Sequence, residues 1–295
     1  MTGVLEVVDG GLLTTVQDAG RPGLAHLGVP PSGFLDAPAA RLANRLVGNH
    51  EDAGLLETTG SGPILRARGA AIVVAVTGAP APVRVDGGMA DPHASLLLRA
   101  DQTLSVGRAA SGLRSYVAVR GGLAVDPVLG SRSTDLLSGL GPPVVHAGQL
   151  LPVGDEIAGD VPALDGLAFP AIAAQPVITL VAGPWDDWFG AEALQSLASQ
   201  AWLVDPASSR VGLRLAGTPL APARSGELPP EGMVTGSLQV PTNGLPVLLL
   251  ADHPTTGGYP VIAVALEGDL HHAAQAAPGS TIRFRLRADP ARPRT

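Results

Sequence analysis

Cysteine is absent from the 295 residues of this chain. That excludes disulfides, thiol nucleophiles and thiolate-bound metals. Lysine is absent too: all 19 basic residues are arginine. A Walker-type phosphate loop requires Gly-Lys-Ser/Thr and is excluded, as are a Schiff-base lysine and a biotin linked to this chain. Aromatic residues make up 3% and charged residues 15%, against 45% hydrophobic. Such a chain folds around a buried interior, which has to be built from Val, Leu, Ile and Ala. The net charge of −7 and the want of a basic cluster with interleaved aromatics argue against a nucleic-acid partner. The basic C-terminal run RFRLRADPARPRT reads as the solvated face of a last strand, because Arg283, Arg285 and Arg287 alternate with Ile282, Phe284 and Leu286. No charged-then-apolar leader and no apolar run of membrane-spanning length is visible. The expectation is a cytoplasmic, soluble protein that engages no membrane.

What the chain has in plenty is turn chemistry. Its 38 glycines and 28 prolines punctuate short runs of β-branched and aliphatic residues: VLEVV (4–8), AIVVAV (71–76), SLLLR (95–99), SYVAVR (115–120), ITLVA (178–182), VLLLA (247–251), VIAVAL (261–266) and TIRFRLR (281–287). This pattern predicts a mainly β protein, in barrels or sandwiches, and the length favours two domains or one large β architecture. A helical stripe over 35–47 carries Asp36 as cap, Pro38 in the first turn and Gly48 as stop. A second stripe covers 185–197, with Asp186 or Asp187 as cap, and a short third helix starts at Asp269 and stops before Pro278-Gly279. Residues 161–176 read as a linker between an N-terminal unit (1–160) and a C-terminal unit (177–288), followed by a tail (289–295).

The common catalytic signatures, such as Gly-x-Ser-x-Gly and His-Glu-x-x-His, are missing. His271 and His272 are adjacent on a short helix, so their rings are expected to diverge as a surface pair, and no metal site is expected. Four polar clusters remain. The first is TVQDAGRPGLAHLGVP, where Gln17, Asp18 and Arg21 crowd a glycine-proline turn, with His26 and Asp36 nearby. It either staples itself or binds something. The second is Gly130-Ser131-Arg132-Ser133-Thr134-Asp135, whose hydroxyls, arginine and backbone amides could hold an anion or bond their own turn. The third is Ser209-Arg210-Val211-Gly212-Leu213-Arg214, with Gln239 further on. The fourth is Asp252-His253-Pro254-Thr255-Thr256-Gly257-Gly258-Tyr259. There Asp252 is a candidate general base if burial raises its pKa, or a ligand for the turn amides. The glycines permit close backbone approach, and the amides could stabilise an oxyanion.

Taken together and in this order, these clusters, with Leu56-Glu57 and Gln275-x-x-Pro278-Gly279, resemble the family of the 5-oxoprolinase C subunit, also described as allophanate hydrolase subunit 2 or KipA. The same module forms part of the carboxyltransferase region of biotin-dependent urea carboxylases. The resemblance spans nearly the whole chain. It implies two cyclophilin-like β-barrel units with a few short helices. It implies a hydrolase component that works with a smaller B subunit (KipI-like) and with an A subunit to open the lactam of 5-oxo-L-proline to L-glutamate with ATP. Magnesium would accompany the ATP, which a partner chain could bind. Phosphorylation of the lactam oxygen would make the carbon attackable, and arginines would serve the phosphates; Arg21, Arg132, Arg210 and Arg214 are the only arginines within these clusters. Carried onto this sequence, Asp252, Thr256 and Tyr259 become catalytic candidates, and Gln17, Asp18, Arg21, Arg132, Arg210, Gln239, Gly257 and Gly258 substrate-binding ones. Two departures stand out: Ser209 replaces the family's Asp, which puts a salt bridge with Arg210 in doubt, and Pro254 replaces its Gln. Two other readings fit the resemblance, a carboxyltransferase component acting on urea or a similar amide with biotin on another chain, and a regulatory KipA-like binder.

Overall fold

The computed structural model describes residues 3–163, 171–224, 226 and 228–287. The chain forms two units. The first takes in Met1–Arg21, Ser32–Asp135 and Gly139–Ile172; the second takes in Pro22–Pro31, Leu136–Ser138 and Ala173–Thr295. Residues 164–170 of the expected linker and the expected tail from 289 lie outside the described residues.

In the first unit two sheets enclose one apolar core. The six-stranded sheet runs Leu150–Pro152, Val4–Asp9, Ile64–Arg68, Thr103–Val106, Val83–Val85, Gly88–Ala90; the five-stranded sheet runs Leu13–Gln17, Leu55–Thr59, Arg114–Val119, Ile72–Gly78, Ser95–Leu98. Alternation sets which side chains turn inward. Leu5 and Val7 from the first strand meet Leu65, Ala67 and Leu104 of their own sheet and Leu56, Val74, Val76 and Val117 of the other. The opposite face of the five-stranded sheet is covered by helix α1 (Ala37–Leu46), which buries Ala40, Ala43 and Leu46 against Leu55, Ala75, Tyr116 and Ala118. The strand Arg114–Val119 is thus covered on both faces. All six of its residues are buried, which explains why SYVAV reads as a nearly continuous apolar run. Asp36 caps α1 as expected, its Oδ1 accepting from the Ala39 amide at 3.0 Å.

The second unit is a closed seven-stranded barrel. Val177–Ala182, Val261–Ala265, Ser237–Gln239, Val247–Leu249, Gly212–Ala216, Trp202–Val204 and Thr281–Leu286 follow one another in that order, and the last returns to the first in parallel. Closure leaves no edge strand within the ring. Its interior is filled by Ile178, Leu180, Trp202, Leu213, Leu215, Leu238, Leu248, Ile262, Ile282 and Phe284, with Arg283 and Arg285 on the outside. Helix α2 (Gly190–Ser199) packs on the strand Thr281–Leu286. It begins later than the stripe predicts. Asp186 and Asp187 sit in a single 3-10 turn (Asp186–Trp188), and Gly190, the first residue of α2, stands at φ 70° and separates that turn from the helix, which has no side-chain cap. Helix α3 (Leu270–Gln275) follows a 3-10 turn, Glu267–Asp269. A two-stranded ribbon, Glu231–Gly232 with Thr256–Gly257, stands apart from the ring.

Candidate functional site

In the first unit, the turn after the strand Leu13–Gln17 meets the Gly130–Asp135 segment. Asp18 lies between them. Its Oδ1 accepts from the Ser131 hydroxyl (2.5 Å), the Ser133 hydroxyl (2.6 Å) and the Gly20 amide (2.8 Å), and its Oδ2 accepts from the Arg132 amide (2.6 Å). The hydroxyls and amides that could have held an external anion hold this carboxylate. Asp18 is therefore a staple, and the second cluster is its socket. Gln17, fully buried, donates from Nε2 to Thr15 Oγ1 (3.1 Å) and the Thr134 carbonyl (2.9 Å). Arg21 donates from Nε to the Val128 carbonyl (3.3 Å) and from Nη2 to the Ser133 carbonyl. The Arg132 side chain turns elsewhere, to the Val125 carbonyl and to Glu156, both at 2.9 Å.

A second buried network, unforeseen in the sequence beyond the Leu56-Glu57 resemblance, holds the entry to α1. Glu57 Oε2 accepts from the Leu35 amide and from the Tyr116 hydroxyl, both at 2.9 Å, while that hydroxyl oxygen accepts from the Asp36 amide at 2.7 Å. Arg114 Nε stands 3.6 Å from Glu57 Oε1. Complete burial, then the charges of Glu57 and Asp36, push the Tyr116 phenol well above its ordinary pKa. The phenol therefore stays a neutral donor. The partners come from positions 59 and 80 residues apart in the chain, so no local signal announces them.

In the second unit the Arg210 and Asp252 side chains form a two-pronged ion pair, Nε to Oδ2 at 2.9 Å and Nη2 to Oδ1 at 3.1 Å. Asp252 is fully buried, and its Oδ2 also accepts from the Leu136 amide at 3.3 Å. Both carboxylate oxygens are engaged by charge-assisted hydrogen bonds from the guanidinium. The salt bridge that Ser209 put in doubt is made with Asp252 instead. Ser209 itself closes the turn, its hydroxyl accepting from the Val211 amide at 3.2 Å. The neighbouring His253 is buried, and desolvation pulls its pKa below the ordinary imidazole value against the opposing pull of its bond to the Pro254 carbonyl and the charge of Asp252.

The rest of the fourth cluster gathers around the ribbon. Gln239 Nε2 lies 3.2 Å from Met233 Sδ and 3.3 Å from the Tyr259 carbonyl. A Cβ on Gly257 would stand 2.5 Å from that same nitrogen, so glycine is required there by close packing. Gly258 has no comparable neighbour, only the Leu228 carbonyl at 3.7 Å. Thr256, Gly258 and Tyr259 are exposed. Trp185 Nε1 donates to Glu231 at 2.8 Å, and the Trp185 ring packs against Met233. His26 is exposed, its ring at 3.1 Å from the Gly23 carbonyl. The expectation that the His271 and His272 rings diverge is corrected: their centroids are 4.0 Å apart, with the ring planes tilted by 40°. Among the described residues no group of three or more His, Asp or Glu could hold a metal ion, and no helix is long and apolar enough to cross a membrane.

The family described as "Carboxyltransferase domain, subdomain A and B" matches residues 27–286. The chain is 37% identical to the C subunit of 5-oxoprolinase from Escherichia coli (strain K12) over 95% of its own length and 90% of that protein. The solved structure of TTHA0988 superposes with a TM-score of 0.83 at 38% identity, over 96% of this chain and 56% of that one. The urea carboxylase of Kluyveromyces lactis superposes with a TM-score of 0.86 at 30% identity, over 95% of this chain and 27% of that one.

Proposed function

For a chain that belongs to the carboxyltransferase domain, subdomain A and B family, we propose the role of the C subunit in an ATP-dependent 5-oxoprolinase, opening the lactam of 5-oxo-L-proline to L-glutamate together with the A and B subunits. The observation that carries this reading is the degree of likeness: over 95% of its length the chain is 37% identical to the E. coli C subunit, against 30% to the urea carboxylase over the same share.

The side chains fit a substrate-handling role better than a nucleotide cradle. A triphosphate needs uncommitted cations and amides. Here Arg132 is engaged by Glu156 and Arg210 by Asp252, and the Arg132 amide and the Ser131 and Ser133 hydroxyls hold Asp18. These residues do not fit ATP, and in this reading the nucleotide and its magnesium belong to a partner chain. Asp252 and Arg210 position the turn before the ribbon. The exposed Thr256, Gly258 and Tyr259 form the contact surface for the amide, and Gln239 and Gly257 support it from beneath. The chain itself holds no lysine for biotin, so a carboxyltransferase role would require the cofactor on another chain.

The test is reconstitution. The chain is co-expressed with homologues of the A and B subunits, and ADP and glutamate are measured from 5-oxo-L-proline. Turnover requiring all three chains is expected. A stable complex with no glutamate, or carboxylation of urea by biotin-bearing partners, overturns the reading.

A further inference from the structure

A two-stranded ribbon is marginal on its own in water, and this one pairs only Glu231 with Gly257 and Gly232 with Thr256. It needs a hold from the rest of its unit. The segment that runs to Tyr259 is tied beyond the ribbon, where Gln239 Nε2 reaches the Tyr259 carbonyl at 3.3 Å and the Val240 amide donates to the Pro260 carbonyl at 3.0 Å. The strand Glu231–Gly232 has a different hold, Trp185. The Trp185 amide donates to the Val261 carbonyl at 3.2 Å, which fixes this residue at the root of the ribbon. Its indole Nε1 donates to Glu231 Oε1 at 2.8 Å, and its ring packs against the cluster of Met233, Leu249 and Val261. Trp188 meets it edge-to-face, with centroids 5.9 Å apart and planes at 77°. The indole thus grips the ribbon by both of its characters, the apolar ring through Met233 and the N–H through Glu231. Met233 carries that grip across the ribbon: its amide donates to the Thr255 carbonyl at 2.9 Å, and its sulfur lies 3.2 Å from Gln239 Nε2. Directly opposed residues share one face of a ribbon. Glu231 therefore lies on the side where Gly257 meets Gln239 and Met233, beneath Thr256 and Gly258.

We propose that Trp185 is a positioning residue for the amide-contact surface: through Glu231 and Met233 it holds the ribbon so that Thr256, Gly258 and Tyr259 present one fixed arrangement. Trp185 itself touches no substrate. The proposal rests on the 5-oxoprolinase reading and deepens it, because it names the device that keeps that surface in its binding-competent form. When the competent form is only a fraction of the population, apparent affinity falls by that fraction. One hydrogen bond to a charged group is on the scale of about tenfold or more. Its loss therefore raises KM and leaves kcat nearly unchanged, since saturating substrate draws the ribbon back into place.

The experiment uses the full chain in the reconstituted complex with its A and B subunit homologues. Hydrogen exchange of the Met233 amide reads the order of the ribbon, and glutamate formation from 5-oxo-L-proline gives kcat and KM separately. Trp185→Phe keeps a ring and removes the N–H. It is expected to speed the exchange and raise KM, each about tenfold, with kcat within about twofold of the wild type. Should that variant fail to fold, Glu231→Ala removes the acceptor from the other side and is expected to do the same. Glu231→Gln keeps an oxygen for the indole and recovers most of the loss. A residue that only stabilised the barrel would shift the urea midpoint and leave KM in place. Unchanged Met233 exchange in Trp185→Phe or Glu231→Ala, or faster exchange with KM unaltered, overturns the proposal. A wild-type complex that forms no glutamate overturns the 5-oxoprolinase reading instead, and Met233 exchange then decides alone whether Trp185 holds the ribbon.

Discussion

Asp18 in the first unit and Asp252 in the second are both buried carboxylates at turns that follow a strand, and they are satisfied by opposite means. Asp18 is held by hydroxyl and amide dipoles. Asp252 is held by a guanidinium. Dipoles hold a turn in shape without neutralising the charge. An ion pair neutralises the charge, but it leaves the survivor stranded when one partner is removed. The consequence extends to the arginines: Arg210 is neutralised, whereas Arg21, close to Asp18 in sequence, is not, because Asp18 is already saturated.

The sharpest way to break this comparison is to strand Asp252. Arg210→Met leaves a fully buried carboxylate without its cation and is expected to lower stability by about 3–5 kcal/mol, measured by urea unfolding. The double variant Arg210→Met, Asp252→Leu should recover most of that loss, because an apolar pair of similar volume replaces the ion pair at little net cost. If the single variant loses less than about 1 kcal/mol, the pair is not what positions this turn. Asp18→Asn is the matching probe in the first unit. It keeps the shape, removes the charge, and turns an amide N–H₂ toward groups that are themselves donors. About 1.5–3 kcal/mol is expected, the scale of a hydrogen bond to a charged acceptor. A smaller loss at Asp18 than at Arg210 supports the distinction, and equal losses erase it.

The ribbon permits a finer contrast between adjacent glycines. Gly257→Ala drives a methyl to 2.5 Å from Gln239 Nε2 and 3.3 Å from Met233, so about 1–3 kcal/mol of overpacking is expected. Gly258→Ala meets only a carbonyl at 3.7 Å and should alter stability by no more than about 0.5 kcal/mol. Turnover of 5-oxo-L-proline that falls in Gly258→Ala at unchanged stability places Gly258 against substrate; unchanged turnover removes it from the contact surface.

The strands were legible because period-two alternation and turn residues are local. VLEVV, SYVAVR and TIRFRLR each became a strand close to its expected bounds. α1 was legible down to its Asp36 cap for the same reason. The second helix was misjudged at its start, since an apolar stripe does not reveal that Gly190 adopts a positive φ. The candidate clusters could be named from sequence but not wired. Asp18 finds its partners 113 to 115 residues away and Asp252 finds its own 42 residues away, distances across which a single sequence carries no pairing signal. For that reason Ser131 and Ser133 could be read as an anion site without any indication that the anion belongs to the chain.

The smallest effect is a pH dependence that links His253 to the Asp252 pair. Desolvation holds the folded-state pKa of His253 below its ordinary 6.5, with the Pro254 carbonyl and the Asp252 charge pulling the other way. Below pH 6.5 the unfolded chain therefore binds a proton that the folded chain refuses. Stability is fully present above that pH and falls as the pH drops from 6.5 through the depressed folded value. His93 is shifted in the same direction, also by desolvation, so both contribute to the slope. Urea unfolding of the wild type between pH 7.5 and about 5 should show the decline, and His253→Gln should make it shallower without removing it. The pair modulates the effect. In Arg210→Met, Asp252 is no longer neutralised, its pull on His253 grows, and the imidazole pKa should rise toward 6.5, which an NMR titration of the ring protons reads directly. A His253 pKa that stays put in that variant would mean that the Arg210 guanidinium was not what shielded the histidine from its neighbouring carboxylate.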